Sequence, residues 1–224
     1  MPRRGRLHIE GGYYHVIGRG LERRYIFSEA EDKENFLLRL GDNLERSHVQ
    51  CLGWALMSNH YHLLLRVGSK PLSLLMAPLL GGFGGYYNRR HRRSGYVFQN
   101  RYTSILCGAD NHLLELVRYI HLNPLRANIV ENLSALEQYR WTGHAGMIRP
   151  KYRRTWHDVD PALNLFGNSR QCAVAAYRQF MSFVGDYKGA SNLSGGGLVR
   201  SYGGWETISR LRKEHISCIG DERI

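Results

Sequence analysis

The sequence predicts an α+β fold: a ferredoxin-like antiparallel sheet with helices on one face, followed by a mostly helical C-terminal extension. Three observations carry this reading. Strand-like and helix-like segments run in the order βαββαβα. The second and third strands are separated only by Ser58-Asn59, whose turn chemistry predicts a hairpin. The apolar run Leu63-Leu64-Leu65 marks the third strand as central and buried.

After a basic start, GGYYHVIGRG reads as the first strand, ending at Gly18 and Gly20. SEAEDKENFLLRLGDNLERS reads as a helix, with Ser28 as N-cap, acids in the first turn, and Phe36, Leu37 and Leu40 on one face. HVQCLGWALMS and NHYHLLLRV are the hairpin strands. In SLLMAPLLGGFGGYYNRRHRRSG the leucines have helical spacing, but Pro78 and four glycines predict a bend or a mobile connection. Gly81 to Gly85 then provide a hinge. YVFQNRYTSILCG is aromatic and β-branched enough for a fourth strand. DNHLLELVRYIHLNPLRANIV is a helix opened by Asp110 and ended near Asn123, because a residue preceding proline is pushed out of the α region. These elements define a core domain over residues 1–145. Residues 146–224 form a basic extension: GMIRPKYRRTWHDVD is loop-like, SRQCAVAAYRQFMSFV helical, GASNLSGGG a flexible spacer, and GGWETISRLRKEH reads as a helix that resembles the opening of a truncated helix-turn-helix module.

The 224 residues carry 31 Lys and Arg against 19 Asp and Glu, a net charge of +12, which favours a polyanionic partner. Nucleic acid fits best. No apolar stretch is long enough to span a membrane, and no secretory signal follows the basic amino terminus. Cys51, Cys107, Cys172 and Cys218 form no C-x-x-C pair, so they read as reduced thiols of a cytoplasmic protein. No G-x-x-x-x-G-K-S/T loop is present for a nucleoside triphosphate.

Two segments could carry chemistry. On a strand, His60 and His62 project the same way while Tyr61 points the other, and their backbones lie roughly 6.6 Å apart. Two neutral imidazoles so placed can hold a divalent metal; a half-buried strand whose histidines meet solvent or a carbonyl fits the tripeptide equally. On the last core helix, Tyr119 and Asn123 are four apart and share a face. A tyrosine phenolate can attack a phosphodiester and hold the cut strand covalently. Alternatively Tyr119 packs beside Leu116 and Ile120, and Asn123 caps the helix. Arg89, Arg90, Arg92, Arg93 and Arg101, interleaved with Tyr96 and Phe98, offer cations for phosphates and flat rings for unpaired bases. Arg118 and Arg126 flank the tyrosine and could neutralise a phosphate.

Taken together, NHYH, GYVFQNRYTS and RYIHLNPLRANIV resemble the HUH single-tyrosine transposases, most closely the REP-associated tyrosine transposases, over about Gly11 to Trp141. The resemblance implies an HUH endonuclease core and a metal-dependent single-strand DNA endonuclease and strand transferase acting at or near DNA hairpins. It further implies His60 and His62 as metal ligands, Tyr119 as the nucleophile of a 5'-phosphotyrosine, and Mg or Mn as the ion. Zn would also suit the residue types. Asn123 falls where insertion-sequence relatives carry a glutamine that supplies a third ligand. A homodimer, with the tyrosine serving the partner's histidines, is one arrangement within the family; action as a single chain is the other. The competing class is a non-catalytic hairpin-binding protein on the same fold, which needs neither the histidine pair nor Tyr119.

Overall fold

The computed structural model describes residues 8–107, 113–167 and 169–182. Four strands, β1 (Tyr13–Arg19), β2 (Gln50–Leu56), β3 (His60–Arg66) and β4 (Thr103–Cys107), form one antiparallel sheet in the order β2-β3-β1-β4. The expected α+β order holds, and β2 and β3 form the hairpin that Ser58-Asn59 closes.

Helix α1 (Ala30–Ser47) is capped one residue later than expected. Glu29 is the N-cap, and Asp32 accepts the backbone N–H groups of Ser28 and Glu29, while the Ser28 hydroxyl meets Tyr87 Oη at 2.9 Å. Helix α2 (Ser73–Arg90) runs unbroken through Pro78 and the glycines, which corrects the expected bend and hinge. Its buried side, Leu75, Met76, Leu79, Phe83 and Tyr87, packs into the core with α1 and the sheet, and that burial outweighs the low helix propensity of the glycines. Pro78 removes only the N–H that would meet the Leu74 carbonyl, on a flank where Leu74 itself is exposed.

The fourth strand is shorter than predicted. Residues 96–102 leave the ladder because β1 ends at Arg19 and turns away; they keep a single bridge, Gly20 to Phe98, and bonds from Leu21 N to Val97 O and from Gln99 N to Arg19 O. Helix α3 (Leu113–His121) ends before Pro124 as anticipated, and a short turn of helix, α4 (Asn123–Arg126), follows with the proline in its first turn. The expected Asp110 cap lies outside the described residues, as do Cys218, the spacer and the helix-turn-helix-like segment.

Beyond α4 come α5 (Leu133–Leu136), α6 (Gly143–Ile148), a 3-10 turn at Pro150–Tyr152, α7 (Asp160–Leu163) and α8 (Arg170–Ser182). The predicted helix over 169–184 is therefore found as α8. The segment 146–160, expected as loop, is partly helical. Every residue of α6 is buried, and the division between 145 and 146 falls within it.

The sheet is a wall shared by two cores. Tyr14, Val16, Trp54, Tyr61, Leu63 and Leu65 face α1 and α2, the helical face expected from sequence. The opposite face, with Ala55, Leu64 and Ile105, is covered by α3 and by Met147, Leu163, Ala173 and Tyr177 from the later helices. Cys51, Cys107 and Cys172 are free thiols. Among the described residues no helix is long and apolar enough to cross a membrane.

Candidate active site

Strand alternation puts His60 and His62 on the face that α3 covers, and Tyr61 on the other. There Tyr61 is buried against Phe36, with ring centroids 4.9 Å apart. In register, His62 pairs with Ile17 and His60 with Arg19 of β1. Two positions before Ile17 on the same face sits His15, fully buried, with its Nε2 2.9 Å from His62 Nδ1. The His60 and His62 ring centroids are 5.1 Å apart, edge to face.

Tyr119 hangs from α3 above this group. Its ring centroid lies 6.0 Å from that of His62 and 5.8 Å from that of His15, edge-on to both. It is 8% exposed, so it belongs to the core and to the site at once. The Arg126 guanidinium sits 5.2 Å from the Tyr119 ring centroid.

Burial dominates the electrostatics. It holds His15 and His60 down to about 4, with the Arg19 charge adding to the shift at His60. His62 is held well below its ordinary range, first by burial and then by its histidine neighbours and Arg19. All three are neutral imidazoles near neutrality, the form that offers a lone pair. Burial also raises the Tyr119 phenol, while Arg126 and Arg19 pull it back down.

These residues fit a metal in a limited way. His60 Nδ1 lies 2.7 Å from Asn59 Oδ1, so this nitrogen donates and Nε2 keeps the lone pair. With His62 Nδ1 engaged by His15, Nε2 is the donor left to that ring. Asn123 Nδ2 donates to the Tyr119 carbonyl at 2.8 Å, which makes it a cap for the end of α3. Among the described residues no group of three or more His, Cys, Asp or Glu side chains is placed to hold an ion. Among the described residues, His60 and His62 are the imidazoles whose Nε2 lone pairs are open to an ion.

The expected nucleic-acid residues divide in two. Arg89, Arg92, Arg101 and Tyr96 are exposed, and Arg93 lies 5.5 Å from the Tyr87 ring centroid; none of these arginines is in an ion pair among the described residues. Arg90 is instead tied to Glu29 and Glu31 at the start of α1. Arg118 turns away from the site, paired with Glu115 at 2.8 Å and 4.5 Å from the Phe180 ring centroid. Phe98 packs between Tyr61 and Phe83.

His15 and Arg19 were missed by sequence reading. The signal was a histidine in YYHVIGR at the same alternation as Ile17 and Arg19, legible only once the register with β3 is known. His121, read from sequence as structural, is buried with Nδ1 2.8 Å from Tyr177 Oη, which also meets His144 Nδ1 at 2.8 Å. His112 lies outside the described residues.

The family model for IS200-like transposases matches residues 8–123, just over half of the chain. A REP-associated tyrosine transposase solved bound to a REP hairpin superposes with a TM-score of 0.55 at 15% identity, covering 71% of this chain and 90% of that one. That likeness establishes a shared fold. A Deinococcus radiodurans R1 protein assigned as a transposase matches at 14% identity with a TM-score of 0.38, over 52% of this chain and 93% of that one. No curated protein sequence matches the chain.

Proposed function

The chain belongs to the IS200-like transposase family, and from that premise we propose that it cuts and rejoins single-stranded DNA at or near hairpins, with Tyr119 as nucleophile. The observation that carries this reading is the Tyr119 ring 6.0 Å from His62, a neutral imidazole on the same chain.

Tyr119 Oη attacks the phosphorus of the scissile phosphodiester. The new O–P bond forms as the bond from phosphorus to the 3'-oxygen breaks, leaving a 5'-phosphotyrosine and a free 3'-hydroxyl. The proton that the phenol gives up ends on the departing 3'-oxygen; burial holds the phenol above its ordinary pKa, and Arg126 and Arg19 offset part of that cost. Rejoining is the reverse: a 3'-hydroxyl attacks the phosphotyrosine and returns the proton to the phenol. His60 and His62 would hold a divalent ion, Mg or Mn as the resemblance implies, which when bound would supply charge stabilisation at the phosphate. Asn59 and His15 orient the two imidazoles. The exposed arginines on and beyond the end of α2, with Tyr96, meet the strand on either side of the cut. Because α3 packs on β2 and β3 of its own sheet, Tyr119 serves the histidines of its own chain.

The test is incubation with a labelled single-stranded hairpin and Mn, followed by denaturing electrophoresis. A labelled band migrating with the protein, lost in Tyr119→Phe and His60→Ala, is expected. Tight hairpin binding with no adduct under any divalent metal would refute catalysis and leave a binding role.

A further inference from the structure

One charged side chain faces the histidine pair from the neighbouring strand. Arg19 is paired in register with His60, and residues directly opposite in an antiparallel pair share a face, with Cβ atoms about 4.5–5.5 Å apart. Along β1 the same alternation carries His15, buried against His62, then Ile17, then Arg19 at the exposed end of the strand. The site therefore deepens from Arg19 and His60 at its mouth toward His15, His62 and Tyr119. The backbone of Arg19 is held on both sides: its carbonyl accepts from Gln99 N at 2.9 Å, and Gly20 N donates to the Asn59 carbonyl at 2.9 Å. Asn59 also fixes His60 Nδ1, so one turn anchors both residues. Arg19 is in no ion pair among the described residues. Its charge acts on His60, His62 and Tyr119 alike, lowering the pKa of each.

We propose that Arg19 is a second catalytic residue, whose guanidinium holds a non-bridging oxygen of the scissile phosphate between His60 and Tyr119. This rests on the reading of Tyr119 as the nucleophile. Two neutral imidazoles and a phenol bring no charge of their own to meet a phosphodiester. The guanidinium brings one, with N–H donors in a planar fork that matches two phosphate oxygens. Arg126 stands differently, 5.2 Å from the centroid of the Tyr119 ring, where it serves the attacking group. The bonds made and broken are unchanged: Tyr119 Oη to phosphorus forms, phosphorus to the 3'-oxygen breaks, and the phenol proton passes to that oxygen. Arg19 keeps its protons throughout and bonds an oxygen that neither attacks nor leaves. Negative charge is spread over the non-bridging oxygens as the exchange proceeds, and a guanidinium whose backbone is already fixed stabilises it with little reorganisation.

The experiment uses the full chain and labelled hairpins with a single-stranded extension, in which one backbone phosphate at a time is replaced by a neutral methylphosphonate. Affinities are read by fluorescence anisotropy in EDTA, so that no metal contributes, and cleavage by the parent in Mn locates the cut linkage. In the parent, neutralising that linkage should weaken binding about tenfold. Arg19→Gln should bind the unmodified hairpin about tenfold more weakly, and neutralising the same linkage should then weaken it no more than about twofold. The substitution lies at an exposed strand end and should leave the melting temperature within about 2 °C of the parent. Arg66→Gln, at the far end of β3, removes an equal charge and should keep the parent's dependence on the linkage. With Mn, single-turnover cleavage at saturating DNA should slow about 100-fold in Arg19→Gln and recover in part in Arg19→Lys, which restores the charge without the fork. A penalty at the cut linkage as large in Arg19→Gln as in the parent overturns the proposal, and so does one relieved equally by Arg66→Gln. Adduct formation is scored separately. Adduct at the parent's rate in Arg19→Gln removes Arg19 from the chemistry and leaves Tyr119 standing, whereas coupling of Arg19 to one linkage without any adduct keeps the phosphate contact and refutes the nuclease.

Discussion

Replacing His15 by leucine separates orientation of the site from stability of the fold. In the parent, His15 Nε2 engages His62 Nδ1 at 2.9 Å, and His15 Nδ1 is shielded without a partner among the described residues. A shielded polar atom left unpaired costs about 1–3 kcal/mol. Leucine has a comparable apolar volume and removes the orphan at position 15, but creates one at His62 Nδ1. The two costs are of one size and opposite sign, so the net change should stay within about 1 kcal/mol, a shift of roughly 2–4 °C in melting temperature. The His62 ring, however, loses the bond that fixes its tautomer, and loss of such a support weakens metal binding or activity by about 10–100-fold. Single-turnover cleavage of a labelled hairpin across a Mn titration, beside a melting curve, measures both. His15→Gln, which keeps a polar partner, should recover part of the loss. Cleavage by His15→Leu within about twofold of the parent at every metal concentration would refute the assignment of His15 as the residue that positions His62.

Three further outcomes are expected. A Cβ at Gly18 would overlap the buried Tyr61 phenol, so Gly18→Ala should lose about 1–3 kcal/mol in urea unfolding, whereas Tyr61→Phe, which removes a hydroxyl with no partner in the described structure, should cost little. Tyr177→Phe strips the shared hydroxyl from His121 and His144 and should lower stability by about 2 kcal/mol or more, with slower cleavage at saturating DNA because α3 carries both His121 and Tyr119. His144 and His157 are held down to about 4 by burial, so below their ordinary 6.5 the unfolded chain takes protons that the folded chain refuses. Stability is therefore full above pH 6.5 and is lost as pH falls toward 4, by about 1.4 kcal/mol per pH unit for each histidine. Urea midpoints at pH 7 and pH 5 check the sign.

Sequence periodicity sufficed where a segment's own pattern decides its structure. The alternation through His60 to Leu65 placed both histidines on one face, and the hairpin followed from Ser58-Asn59. It failed where a distant partner decides. The glycines of α2 looked like a hinge because propensity is local, while Phe83 and Tyr87 lock that helix through contacts with α1 and the sheet. Residues 96–102 have strand-like side chains but no neighbouring strand left to pair with. The site was half legible for the same reason: His60, His62 and Tyr119 lie in segments whose patterns are distinctive, but His15 enters only through the β1–β3 register. Arg90 and Arg118 looked free until their acidic partners came into view.

The clamping of α3 between the sheet and the later helices bears on kinetic order. A neighbouring molecule could lend its tyrosine only by first peeling Tyr177 from His121 and exposing Ala173 and Met181, a step that opens a whole core. Turnover should therefore be first order in protein, with the same rate per molecule on dilution. A mixture of His60→Ala and Tyr119→Phe chains, each intact in the half that the other lacks, should stay inactive however concentrated it is made.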